Sequence, residues 1–473
     1  MIMMRMLVWA GFVLPMAVPA AAQQSGAGAR VDRLVERYRL DRKVPGLAVA
    51  VVRNGVVIKA KGYGVSNLEL GSPVTPKTLF GLGSISKQFA ATAIMQLVED
   101  GKVSLDESVA RYVDSLPAHW GRITVRHLLN HTSGLPEEHW NPSYIEFDRF
   151  EHHHLDVLRT VFADSLEFPP GAGWAYRNSA YRLAGMIIEK VSGESFWSFL
   201  DRRTFRPIGM TATRSSDPKS IIPNRAKGYG KDRGRIANRD AVTETAAFSE
   251  GALMSSVLDM AKWDSALYRP RVLSQASLDQ MWTPTTLADG SVRPYGLGWF
   301  LSPTNGVRTV SHGGALPGFV TNISRFVGKG LTVIVLGNAE WANPAALADA
   351  IAGIYDPDLA PKPPALIADT DPSFTTSLRA MVEGLGRGQL DQSRLGPDAR
   401  ETWGPAAVAE AARLIRRLGK VVRLDLVGRF DRGEVTQRRY RVGLEHGAVV
   451  VTALTDGTPW FRSLDVEESL IPR

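Results

Sequence analysis

A chain of 473 residues, 44% of them hydrophobic, carries ample apolar material for a large core and is longer than one ordinary domain, which excludes disorder and suggests a catalytic-sized domain with an appendage. The formal net charge of +8 invites an anionic partner. Across Arg413 to Arg441, however, Asp425, Asp431 and Glu434 are interleaved with the arginines and no reading motif accompanies them, so this is a solvated surface and nucleic acid is excluded as a partner. With no cysteine, the chain has neither disulfides nor a thiol for lipid attachment.

The opening stretch, MIMMRMLVWAGFVLPMAVPAAAQQ, holds one basic residue, a short apolar run and an Ala20-Ala21-Ala22 end. It predicts a secretory signal peptide over residues 1–22, hence a periplasmic or secreted protein with no stable membrane insertion after cleavage. The alternative, an uncleaved anchor, needs a longer apolar run. Val31, Leu34, Val35 and Tyr38 then recur at helical spacing; LAVAVV follows Pro45-Gly46, and Asn54-Gly55 turns it into VVIKAKGYG, a helix followed by a β-hairpin.

In FGLGSISKQF, Ser84 and Lys87 stand three residues apart where a helix begins. Phe89, Ala90, Ala93, Ile94 and Leu97 form its apolar stripe and Gly101 ends it. Residues so spaced share a helix face, so Lys87 reaches the Ser84 hydroxyl, and a buried lysine can act as a base. A helix start also aims backbone N–H groups at developing negative charge. A lone S-x-x-K is cheap, as Ser216 to Lys219 in a proline-containing loop shows, so companions are needed. His127 and His131, four apart, lack a third ligand and read as structural, and His152-His153-His154 reads as a solvated loop; no metal and no cofactor is expected.

Two companions appear. WAYRNSAYRLAGMIIEKVSG places Tyr176 and Asn178 just before a helix closed by Gly193. TVSHGGALPGF places His312, Gly313 and Gly314 at the end of a strand, where glycines allow a substrate close to the backbone. YGLGWFL, VRTVSH, GFVTNISRFV and LTVIVLGN read as four strands, and Tyr295 and Trp299 either line a cleft or pack the sheet. Strands from both ends, with a mostly helical stretch from Lys87 to Leu267 between them, predict an α+β fold: one antiparallel sheet flanked by helices, a helical lobe, and a cleft between the two. The proline-rich segment 357–372 reads as a linker joining residues 23–356 to a small α+β domain over 373–473. In that domain helices fall at Thr376–Leu385 and Ala406–Leu418, followed by strands with a turn at Asp456-Gly457.

From Val31 to Gly353 the chain resembles the serine β-lactamase and penicillin-binding-protein superfamily, within it the class C β-lactamase, D-Ala-D-Ala carboxypeptidase and esterase-like family. The motifs are GYGVSNLELGSPVTPKTLFGLGSISKQF, ITVRHLLNHTSGLP, YRNSAYRLAGMIIEKVSG, EGALMSSVLDMAKW, YGLGWF and SHGGALPGF. The C-terminal domain is more weakly similar to NTF2-type accessory folds. The resemblance implies Ser84 as acylated nucleophile, Lys87 as its proton acceptor, Tyr176 as second general base and acid, and Asn178 as a substrate hydrogen-bonder. It also implies an oxyanion hole from the N–H groups of Ser84 and Ala315. Where the family's K-T-G would stand, this chain has His312-Gly313-Gly314, replacing a permanent cation with a group that attracts a carboxylate only when protonated, toward pH 6. The function implied is a secreted serine hydrolase of a small-molecule, peptide or peptidoglycan-type substrate, cleaving a peptide, amide or ester bond through an acyl-enzyme. The alternatives are a true class C-type β-lactamase, or a non-catalytic penicillin-binding sensor using the same pocket.

Overall fold

The uninterrupted apolar run from Leu47 to Val52 has a simple cause: its strand is buried on both faces. In the computed structural model, which describes residues 20–137, 150–232, 234–269, 271–432, 435–456 and 461–469, strand Gly46–Arg53 lies inside a six-stranded antiparallel sheet. The order across the sheet is Thr309–Leu316, Phe319–Phe326, Leu331–Gly337, Gly46–Arg53, Val56–Asn67 and Ser72–Pro73. Pairs such as Val49 with Val335 and Ile323 with Ile334 set the register. Alternation then divides the side chains: Ala48, Ala50, Ile334 and Leu336 enter the core of the helical lobe, whereas Leu47, Val49, Val51 and Val335 meet helices Ala20–Asp41 and Pro344–Tyr355 on the other face.

The N-terminal helix is tied to the sheet through Asp32, which accepts from Tyr63 Oη at 2.6 Å and pairs with Lys59 at 2.7 Å. Residues 1–19 of the predicted signal peptide lie outside the described residues, and Ala20–Ala22 begin this helix. Among the described residues no helix is long and apolar enough to cross a membrane. Helices Ser86–Glu99, Asn178–Ser192 and Val257–Ala266 build the lobe, where Phe89 packs against Trp263 with ring centroids 4.6 Å apart.

Three readings change. YGLGWFL is not a strand: it makes only isolated bridges, Tyr295 to Phe300 and Phe300 to Ser311, because a tight turn closed by Gly296 N–H to the Trp299 carbonyl (2.9 Å) sends Trp299 into the core. His312-Gly313-Gly314 lies within its strand, not at its end, and the pairing continues to Leu316 with Phe319. His154 opens helix His154–Arg159 and stacks on Phe248, centroids 3.5 Å apart, and burial lowers its pKa to about 3.

A third core, with Leu378, Leu385, Ile415, Tyr440, Val442 and Val451, belongs to the separate C-terminal domain. Helices Pro372–Gly386 and Pro405–Leu418 pack on an antiparallel meander of Val421–Arg432, Val435–Leu444, Gly447–Thr455 and Ser463–Glu468. The turn predicted at Asp456-Gly457 runs into residues outside those described. This domain meets the larger one through Lys43 with Glu410 and Arg417 with Asp41, each 3.1 Å.

Candidate active site

Ser84 sits in a 3₁₀ turn, Gly83–Ile85, that leads directly into helix Ser86–Glu99. The turn is wedged against the edge strand of the sheet. A Cβ on Gly83, whose φ is +56°, would lie 2.5 Å from Ala315 N, and one on Gly314 would lie 1.9 Å from the Leu82 carbonyl oxygen. Gly314 is therefore demanded by the protein's own backbone rather than by an approaching substrate; at Gly313 nothing comes nearer than 3.6 Å. The Leu82 carbonyl also accepts from Thr321 Oγ1 at 2.7 Å, and Leu82 N–H donates to the Leu253 carbonyl at 2.7 Å. These contacts bring the backbone just before Ser84 against that of Gly314 and Ala315.

Lys87 is fully buried, and its ammonium is placed by three acceptors: Ser84 Oγ at 3.1 Å, Asn178 Oδ1 at 2.8 Å and the Glu250 carbonyl at 3.0 Å. As a neutral amine, Nζ can keep its two N–H bonds to Asn178 and Glu250, which leaves its lone pair facing the Ser84 hydroxyl. Tyr176 presents its ring 4.9 Å from Lys87 Nζ, and its buried hydroxyl has no hydrogen-bond partner among the described residues. The structure thus assembles Ser84, Lys87, Tyr176 and Asn178 in one cluster.

Asn178 is the first residue of helix Asn178–Ser192, not its cap. Glu137, which the sequence reading passed over, accepts from Asn178 N–H at 3.0 Å and from Asn178 Nδ2 at 2.8 Å. Its carboxylate satisfies an orphan donor at a helix start and fixes the amide so that Oδ1 faces Lys87. The only sequence signal was an acid one residue beyond NHTSGLP.

His131, read as structural, packs its ring on Tyr176 with centroids 4.3 Å apart and accepts from Arg177 N–H through Nδ1 at 3.2 Å. Burial, then the Lys87 charge, holds its pKa well below the ordinary value, so it is neutral. Among the described residues no group of three or more His, Cys, Asp or Glu side chains is placed to hold a metal ion.

His312 is 2% exposed and both ring nitrogens are occupied. Nδ1 lies 2.6 Å from the Gly313 carbonyl, which can only accept, so Nδ1 carries the proton and Nε2 accepts from Tyr295 Oη at 3.0 Å. Burial lowers its pKa to about 3. The expectation that a charged His312 draws in a carboxylate near pH 6 does not hold, because desolvation keeps the imidazole neutral there. Tyr295 is buried against this histidine and Trp299 is wholly in the core, so neither is an exposed wall of the cleft.

The chain is similar to known proteins. A beta-lactamase family model matches residues 31–354. Penicillin-binding protein 4* of Bacillus subtilis is 33% identical over 318 residues, covering 61% of this chain and 68% of its own. The D-aminopeptidase of Brucella canis is 28% identical over 413 residues, covering 83% and 76%. The D-amino acid amidase of Ochrobactrum anthropi SV3 superposes with a TM-score of 0.58 at 26% identity, covering 70% of this chain and 97% of that one. With a sheet, lobe and Ser84 turn arranged as described and the family model spanning well over half its length, the chain belongs to the beta-lactamase family and is a serine hydrolase of the beta-lactamase and penicillin-binding-protein kind.

Proposed function

We propose that this protein is an exported acyl-enzyme hydrolase whose substrate is a small amide or peptide with a D-amino-acyl group. The observation that carries the reading is the contact of buried Lys87 Nζ with both Ser84 Oγ and Asn178 Oδ1. Lys87, as the amine, takes the Ser84 proton while Oγ attacks the substrate carbonyl. The resulting oxyanion is held by the N–H groups of Ser84 and Ala315. Tyr176 Oη then donates a proton to the departing amine and is reprotonated through Lys87, and water releases the acyl group by the reverse proton path. An unpartnered buried hydroxyl costs about 1–3 kcal/mol, which supports a role for Tyr176 toward a reacting group.

Electrostatics supports an amide over a β-lactam. The K-T-G position offers a neutral His312, while Glu137 brings a carboxylate to the edge of the cluster, a field suited to a substrate ammonium and not to a substrate carboxylate. Relatives named D-aminopeptidase and D-amino acid amidase support the same choice, and the apolar leader supports export.

The test is a panel on the purified protein: D- and L-amino-acid amides, a p-nitrophenyl ester and nitrocefin, with Tyr176→Phe beside the parent. The D-amide or ester should turn over fastest, and Tyr176→Phe should lower kcat/KM about a hundredfold. Rapid nitrocefin turnover with inert amides would make it a β-lactamase. Full activity of Tyr176→Phe would remove Tyr176 from the chemistry.

A further inference from the structure

Arg182 and Glu250 form an ion pair inside the helical lobe, with side chains 0% and 6% exposed and Arg182 Nη2 to Glu250 Oε1 at 2.5 Å. A buried pair of this kind is a poor source of stability, since apolar residues of similar volume often serve as well or better. Its neighbours suggest another use. Arg182 stands four residues after Asn178 on the same helix, so both side chains leave one face. Its fork also donates to the carbonyls of Thr245 (2.9 Å) and Ala246 (2.6 Å), gripping the short helix Phe248–Gly251 and the segment before it. The backbone carbonyl of Glu250 is one of the three acceptors of Lys87 Nζ.

We propose that the Arg182–Glu250 pair is a positioning device for Lys87: by pinning the Glu250 peptide to the helix that carries Asn178, it aims the Lys87 lone pair at the Ser84 hydroxyl. The inference rests on the acylation of Ser84 proposed above. One helix face thereby supplies both non-serine partners of Lys87, Asn178 directly and the Glu250 carbonyl through Arg182. Other groups face Lys87 as well. The rings of Tyr176 and Tyr181 lie 4.9 and 5.6 Å from Nζ, His131 and His312 are neutral, and Glu137 acts through Asn178. The helix keeps a second anchor without the pair, Ser249 Oγ to the Tyr181 carbonyl at 2.8 Å.

The experiment compares the full-length parent with Arg182→Met/Glu250→Leu and with Arg182→Lys, both of which leave net charge unchanged. Read out are the rate of Ser84 labelling by a fluorophosphonate, the labelled residue by mass spectrometry, the kcat and KM of the best panel substrate, and folding by circular dichroism. In the double variant labelling and kcat should slow about tenfold or more, while KM stays within about twofold. Arg182→Lys, with charge but no fork, should move the same way by less. If the parent is labelled at Ser84 and the folded variants match its labelling rate and kcat, the positioning role is overturned and acylation stands. If the parent is not labelled there, both readings fall. Should the double variant not fold, Arg182→Lys decides: a parental rate overturns the inference, and a slower rate with KM within about twofold upholds it.

Discussion

At position 312 an imidazole is enclosed rather than offered. Gly313 and Tyr295 take both nitrogens and burial lowers its pKa to about 3, as burial does for His154. An unfolded histidine titrates near 6.5, so between about 6.5 and 3 the unfolded chain binds more protons than the folded one. The sign follows: the contribution of these histidines to stability is complete above about pH 6.5 and is lost progressively as pH falls. The melting temperature should therefore drop from pH 7.5 to 4.5, and the drop should be smaller in His154→Leu, which cannot take up the proton. A parent whose melting temperature holds or rises over that range would contradict the burial of these rings. Residue-level chemistry here was only half legible in the sequence. The motif named the histidine, and its neutrality came from a tyrosine and a carbonyl that close around it.

The Ser84 turn and the strand Thr309–Leu316 depend on each other more than on their own propensities. Gly314 leaves no room for a methyl because the Leu82 carbonyl oxygen would be 1.9 Å away, and the two residues are held by their backbones, one in a strand ladder and the other at the start of the 3₁₀ turn. Gly314→Ala should therefore cost about 1–3 kcal/mol and slow acylation by displacing Ala315 from Ser84. Gly313→Ala, with 3.6 Å to its nearest neighbour, should leave stability nearly unchanged. Thermal melts and fluorophosphonate labelling of the two variants check this, and equal stability would mean that the wedge is not tight. The hairpin of Gly46–Arg53 with Val56–Asn67 was readable because its turn carries Asn54-Gly55, and that of Phe319–Phe326 with Leu331–Gly337 because Gly328 and Gly330 mark its turn. YGLGWFL was misread because an apolar run tells burial from extension only when its backbone contacts are known.

On the scale of the molecule, two bodies share the chain. The C-terminal domain has its own core and meets the larger domain through exposed ion pairs such as Lys43 with Glu410, which are worth little in water. The first turn of the linker is fastened to the larger domain, since Asn305 Nδ2 donates to the carbonyls of Asp358 (2.9 Å) and Ala360 (2.8 Å). A chain ended near Pro364 keeps these bonds and every residue of the Ser84 cluster. It should fold, melt cooperatively and be labelled at Ser84 at a rate within about threefold of the full chain. A soluble, monomeric truncation that is not labelled would show that the second domain completes the site.

The sequence by itself determined the sheet strands of the two chain ends, the helix starts at Ser84 and Asn178, and the choice of Ser84, Lys87, Tyr176, Asn178 and His312 as the residues to watch. The strands and helix starts are written in local spacing and periodicity, which a linear reading can see, and the site residues stand out through the motifs of the family that the chain resembles. Only the tertiary structure decided that Glu137 orients Asn178 across 41 residues, that Glu250 holds Lys87 across 163, and that Arg182 reaches Glu250 across 68. Contacts at such separations leave no mark on periodicity, and the charge state of a histidine depends on what surrounds it. Both are set by packing, which brings distant residues together and removes water from between them.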